Sequence, residues 1–307
     1  MTKAIAIVGP TAVGKTALSI QLAHDLNGEV ISGDSMQIYR HLDIGTAKIT
    51  PAEMDGIPHH LIDIRDLNQR FSAAEFQKLA NEQIDQIAAR QHLPMVVGGT
   101  GFYLQTLTEN LALGADHFDE QSQRIRDYWH QMADQKGPEA VWKQLYQKDP
   151  QAAKQIPVGN LRRVIRALEV IEKTGQLFSQ QTQTKSDNEF LLIGLTTERS
   201  VLYERINQRV DLMIKEGLLD EARWLYEQGG ENYQSGKGIG YRELFPYFKG
   251  ETTLADAIAK IKQDSRHYAK RQLTWFRNKM NVQWYDLVSG RNTTNEIEAD
   301  VKEWLKN

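Results

Sequence analysis

The chain has 307 residues, which at about 150 residues per domain points to two domains or to one large domain with an insertion. Forty per cent of its residues are apolar and 25 per cent charged, enough apolar material to exclude a chain disordered throughout. No apolar run approaches the ~18 residues of a membrane helix. A net charge of −3 carries no global nucleic-acid signal, and the absence of cysteine excludes disulfides, thiolate metal sites and a cysteine nucleophile. Met1-Thr2-Lys3 leads into an apolar run without the small-residue cleavage site of a signal peptide. The expectation is a cytoplasmic protein with no membrane partner.

The first hundred residues alternate strand and helix. Lys3–Val8 is continuously apolar after its first residue, as in a strand buried on both faces of a parallel sheet. A helix is predicted over 15–26, stopped by Asn27-Gly28. Further strands are predicted at 29–32, 60–64 and 93–97. Between the last two, Ser72 and Glu75 form a capping box, and Phe76, Leu79, Ala80 and Ile87 share a helix face. This order implies right-handed crossovers.

After Leu113-Gly114 the pattern becomes helical. Tyr128, Trp129 and Met132 fall in one helix, and Val141, Trp142 and Leu145 in a second. Leu161, Val164, Ile165, Leu168 and Ile171 line one face of a third. A polar loop covers 180–189, a buried strand 190–195, and the chain beyond 200 reads as helical. The expected organisation is a core of residues 1–118 and 189–307 around a helical insertion, 119–188.

The strongest local motif is Gly9-Pro10-Thr11-Ala12-Val13-Gly14-Lys15-Thr16, between a strand and a helix. Such a loop turns its backbone N–H groups onto a phosphate chain at a helix N-terminus. Its lysine neutralises terminal phosphate oxygens and its Thr hydroxyl, here Thr16, ligates Mg²⁺. The motif specifies a di- or triphosphate, not ATP. A P-loop ATPase normally ends a second strand in an Mg²⁺-holding Asp, but strand 93–97 runs into Gly98-Gly99-Thr100-Gly101. The carboxylate expected nearest the phosphates is Asp34, in Gly33-Asp34-Ser35-Met36-Gln37. Strand C-termini line the ligand crevice of an open parallel sheet, so Asp34, Thr100 and the P-loop are predicted to converge. Taken alone, Asp34 also reads as a turn or cap residue and 98–101 as a plain glycine turn.

Six ordered segments now resemble one family: GPTAVGKT at 9–16, GDSMQIYR at 33–40, DIGTAK at 43–48, VVGGTGFYL at 96–104, GIGYRE at 238–243 and YAKRQLTWFRN at 268–278. Over nearly the whole chain they look like tRNA dimethylallyltransferases (the IPP transferases), which prenylate adenosine 37 beside the anticodon. The resemblance implies an α/β fold, a nucleotide-kinase-like P-loop parallel sheet with a helical insertion domain and C-terminal helices. It implies that the P-loop binds dimethylallyl diphosphate rather than ATP, with Mg²⁺ as cofactor; a secondary affinity for ATP stays open. By resemblance Asp34 is the base, Thr100 touches the reacting groups, Lys15 serves the leaving diphosphate, and Arg209 lies near the diphosphate. From spacing alone, Arg205 and Arg209 also read as the solvated face of a helix. Asp34, Ser35, Met36 and Gln37 would hold the flipped-out target base.

The matching basic segment, Gly159, Asn160, Leu161, Arg162, Arg163 and Arg166, would touch the anticodon stem-loop of tRNA, its three arginines largely outward. Arg266–Lys279 has five cations and no acids; its Tyr268, Trp275 and Phe276 are expected in the core rather than as base-stacking surfaces. His59-His60 reads as structural. The rivals are an adenylate isopentenyltransferase acting on free nucleotides, a small-molecule kinase, and a non-catalytic RNA-binding P-loop protein. A monomer is expected.

Overall fold

The computed structural model describes residues 1–111, 113, 119–180 and 188–307. The chain begins β1 (Thr2–Val8), α1 (Lys15–Leu26), β2 (Gly28–Ser32), α2 (Pro51–Met54), β3 (His59–His60), α3 (Ala73–Ala89), β4 (Leu93–Gly98) and α4 (Gly101–Thr108). Four helices follow: α5 (Glu120–Lys136), α6 (Pro138–Lys148), α7 (Pro150–Gln155) and α8 (Leu161–Thr174). The chain then continues through β5 (Asn188–Leu195), α9 (Arg199–Glu216), α10 (Leu218–Glu227), α11 (Phe245–Phe248), α12 (Leu254–Lys279), β6 (Gln283–Tyr285) and α13 (Thr294–Lys306).

It divides into two compact units, Met1–Thr108 with Ser186–Asn307, and Glu109–Lys185. The borders expected at 118/119 and 188/189 fall on or beside residues outside those described, as do Gly114 and most of the polar loop 180–189.

The first unit is built on a six-stranded sheet in the order β3-β2-β4-β1-β5-β6, every pair parallel. From Ala4 to Val8, β1 is completely buried, which is why its sequence does not alternate. Ile5, Ile7, Val30, Met95, Ile193 and Leu195 pack with Leu18 and Leu22 of α1 and Leu202 and Ile206 of α9. The Ser72 hydroxyl caps α3 by accepting the Glu75 N–H at 3.1 Å. Glu75 does not complete the box, because its carboxylate pairs with Arg65.

Two expectations need correction. The strand predicted at 60–64 is only His59–His60, since Leu61 and Asp63 take positive φ (61° and 55°), which breaks an extended run. The region beyond 200 is not all helical: β6 adds an edge strand beside β5. Its three residues are too few for periodicity to register.

In the second unit, Trp129, Val141, Leu145, Val164, Ile165 and Leu168 form a separate core. Asn160 caps α8 by accepting the Arg163 N–H, and Gly159, Asn160, Arg162 and Arg163 are exposed. Arg166 departs from the outward expectation. Its guanidinium lies 3.1 Å from the carboxylate of fully buried Glu169, which Arg126 also holds through two bonds of 2.9 Å. A buried carboxylate needs such partners, and α8 places Arg166 one turn before it.

Candidate active site

The P-loop lies at the C-terminal end of β1. Gly9 has φ 142°, and a Cβ there would lie 2.5 Å from the Leu195 carbonyl oxygen, so β5 itself demands glycine. Val13 turns into the core, and Gly14 (φ 93°) precedes α1 with no side-chain cap. The first N–H groups of α1 are therefore left for an anion. Lys15 Nζ donates to the Gly9 and Pro10 carbonyls at 3.1 and 2.6 Å, using two of its three donors. Burial, then the charge of Arg209, push its ammonium down to about 8, with Asp34 opposing. Thr16 is exposed on the first turn of α1.

Two further loops meet this one. Gly33 follows the end of β2 and Gly98 ends β4, and the chains touch: Gly33 N–H donates to Val97 O at 2.8 Å, and a Cβ on Gly98 would lie 2.4 Å from Gly33 O. This glycine-on-glycine contact brings Asp34 beside Thr100. Ser35 N–H donates to Thr100 Oγ1 at 3.1 Å, and Met36 N–H donates to Asp34 Oδ1 at 2.8 Å. Burial raises the Asp34 carboxyl above the ordinary carboxylate range, against the Met36 N–H, Lys15 and Arg209.

Arg209, on α9, is half-buried and makes no hydrogen bond or ion pair among the described residues. Burial lowers its pKa, while Glu53, Asp34 and Glu216 oppose the shift. Lys15, Arg209 and Asp34 thus act on one another at the sheet's C-terminal edge, with Glu53 and Glu216 also acting on Arg209.

The Gln37 side chain is bonded within the protein. Its Nε2 donates to Thr46 O and Ala47 O at 3.3 and 3.2 Å, and its Oε1 accepts from Ser32 Oγ at 3.0 Å. The amide is committed to the protein's own turn.

Several residues escaped sequence reasoning. Arg205, read only as a helix-face partner of Arg209, donates from Nε to the Ala12 carbonyl at 2.8 Å and pins the P-loop from α9. Tyr268 faces Thr100 and Gln272; burial, then the charge of Asp34, push its phenol up to about 12. Gln272 is buried and donates to Gly99 O at 2.8 Å. Tyr268 and Phe276, expected in the core, lie with Gln272 on one inward i, i+4, i+8 stripe of α12, Phe276 fully buried and Tyr268 partly so. That spacing was the available signal.

Among the described residues no cluster of three His, Asp or Glu could hold a metal by itself. One hydroxyl, Thr16, beside an anion site still suits Mg²⁺, which keeps most of its waters and binds through one or two protein oxygens and substrate phosphates.

A family model described as IPP transferase matches residues 37–279. The tRNA dimethylallyltransferase of Limosilactobacillus fermentum is 66% identical over 306 residues, covering all of both chains. That of Enterococcus faecalis is 51% identical over 307 residues, covering 100% of this chain and 98% of its own. Among solved structures, the full-length tRNA isopentenylpyrophosphate transferase of Bacillus halodurans superposes with a TM-score of 0.75 at 50% identity, covering 100% of this chain and 97% of that one. A eukaryotic dimethylallyltransferase acting on tRNA superposes with a TM-score of 0.84 at 31% identity, covering 100% of this chain and 80% of that one.

Proposed function

The chain belongs to the IPP transferase family, and on that premise we propose that it transfers the dimethylallyl group of dimethylallyl diphosphate to N6 of adenosine 37 in tRNA, releasing diphosphate. The activity class, prenyl transfer in tRNA modification, is the one its full-length relatives are named for. The observation that carries the finer reading is the meeting of Lys15, Arg209 and a carboxyl with raised pKa, Asp34, where β1, β2 and β4 end.

The adenine amino group is a poor nucleophile because its lone pair is delocalised into the ring. As N6 bonds to C1 of the allylic diphosphate, the C1–O bond breaks and N6 must lose a proton. Asp34 orients N6 and takes that proton; its raised pKa suits a general base better than an ordinary carboxylate. The Met36 N–H holds Oδ1, and the Gln37 N–H also acts on the carboxylate, so the backbone of its own turn orients it. Thr100, fixed by Ser35, stands beside it.

The leaving diphosphate gains charge, which Lys15, Arg209 and the N–H groups of Gly9–Thr16 stabilise. Mg²⁺ would be held by Thr16 together with diphosphate oxygens, and supplies further neutralisation of that charge. Exposed Arg162 and Arg163 are assigned to the phosphates of the anticodon stem-loop. No helix among the described residues is long and apolar enough to cross a membrane. A monomer acting in the cytoplasm completes the reading.

The test is incubation of the enzyme with unmodified tRNA and labelled dimethylallyl diphosphate, with AMP as parallel acceptor. Label at N6 of adenosine 37 is expected. Label in AMP and not in tRNA would favour the adenylate enzyme, and no transfer to either would overturn the reading.

A further inference from the structure

Two of the motifs, DIGTAK at 43–48 and GIGYRE at 238–243, have no part in the chemistry above, yet they meet at one side chain. Glu221 lies in the first turn of α10. Its Oε2 accepts the N–H groups of Asp43 and Ile44 at 2.8 and 2.9 Å. Its Oε1 accepts the Gly45 N–H at 2.9 Å and the Tyr241 hydroxyl at 2.7 Å. Three successive backbone N–H groups on one carboxylate form a nest closed on an internal anion. Tyr241 is fully buried, and burial, then the Glu221 charge, hold its phenol well above the usual range, so it remains a donor. Gly45 must be glycine, because a Cβ there would lie 2.5 Å from Tyr241 Cζ.

The turn that Glu221 gathers holds the amide of Gln37. Thr46 Oγ1 donates to Leu42 O at 2.6 Å and Ala47 N–H donates to Ile44 O at 3.0 Å, which closes the turn. The carbonyls of Thr46 and Ala47 then accept Gln37 Nε2, and Gln37 ends the Asp34–Gln37 turn. A second route runs through GIGYRE, where a Cβ on Gly238 would lie 2.8 Å from Met36 Cε. Met36 is the residue whose N–H holds Asp34 Oδ1.

We propose that Glu221, with Tyr241, is a positioning residue for prenyl transfer: it clamps the 43–47 turn, which through Gln37 fixes the turn that aims Asp34. The proposal rests on the reading of Asp34 as the base. The far side of the turn is tied independently, since Lys48 Nζ bonds Tyr39 O, Asp43 and Asp63 at 2.8, 2.5 and 2.6 Å. The buried face of α10 is Leu218, Ala222 and Leu225. Loss of the Glu221 carboxylate therefore loosens the turn without unfolding the protein.

The experiment compares Glu221→Gln, Gln37→Ala and the double variant in the full chain. It reads amide hydrogen exchange and the single-turnover rate at saturating tRNA and dimethylallyl diphosphate. In Glu221→Gln, exchange at Asp43, Ile44 and Gly45 should quicken while β1 and β4 stay protected. The rate should fall about 10–100-fold, the scale of losing hydrogen bonds to a charged group, with dimethylallyl diphosphate affinity unchanged. Gln37→Ala should also slow transfer, and the double variant should be no slower than the slower single one, because both act through one turn. Glu221→Asp should recover part of the rate.

Unchanged exchange at 43–45, a wild-type rate despite faster exchange, or losses that multiply in the double variant would each overturn the proposal. Inactivity of the wild type in the same assay would instead count against the prenyl-transfer reading, and the exchange data would still decide the clamp.

Discussion

Replacing Asp34 by Asn isolates the base from the turn it sits in. Asn keeps the shape, and its Oδ1 can still accept the Met36 N–H that Asp34 accepts at 2.8 Å, so the 34–37 turn should persist. On the proposed mechanism, what is lost is an acceptor for the proton leaving N6. A general base contributes about 10²–10⁴-fold, or roughly 3–5 kcal/mol of barrier. The single-turnover rate should fall by that factor with near-normal binding of both substrates.

The pH profile adds a second check. Because burial raises the Asp34 pKa, wild-type kcat/KM should climb with pH through a value above the ordinary carboxylate range, as the base deprotonates. It should fall again near pH 8 as free Lys15 loses its proton, its pKa being about 8. Asp34→Asn should lose the acid limb and keep the alkaline one. A carboxyl with a raised folded-state pKa costs stability above its unfolded pKa, so the neutral variant should melt no lower than wild type near pH 7. A rate within about threefold of wild type, or an acid limb that survives the substitution, would remove Asp34 from the chemistry.

Other perturbations separate the remaining roles. Lys15→Ala should weaken dimethylallyl diphosphate binding or slow departure of diphosphate while leaving tRNA affinity much less affected; the wild type should release negligible phosphate from ATP, and robust release stimulated by a small acceptor would favour a kinase. Replacing Arg162 and Arg163 by Gln should reduce the salt slope of tRNA binding by about 1.4–1.8, at 0.7–0.9 per phosphate contact. Arg166→Gln should instead lower the melting temperature, because its guanidinium is engaged with buried Glu169. Glu29, buried and held by Arg90 and then by His60 and His92, has its pKa lowered to about 2. Glu29→Gln should destabilise the protein at pH 7 by about 3 kcal/mol, and the gap in urea midpoints should close as pH falls from about 5 to about 2.

Short-range physics made much of this molecule legible in its sequence. The P-loop announces itself because phosphate-binding backbone geometry requires glycines, a lysine and a hydroxyl within eight residues, 9–16. β1 and β5 showed as uninterrupted apolar runs because both faces are covered, and α8 as a 3.6-residue stripe because one face is. Asp34 and Thr100 could be placed together because strand ends of a parallel sheet open on one crevice.

The tertiary structure alone decided which partner each polar side chain takes. Glu221 reaches the Asp43 N–H across 178 positions, Arg205 reaches Ala12 across 193, and no local pattern encodes such pairs. Gln37 bonds the 46–47 carbonyls and Arg166 turns to Glu169 because packing brings an unmet polar group within reach, and a buried group left unpaired costs more than an exposed charge gains. Hydrophobic periodicity assigns a residue to a face; only the assembled neighbours determine what that face meets.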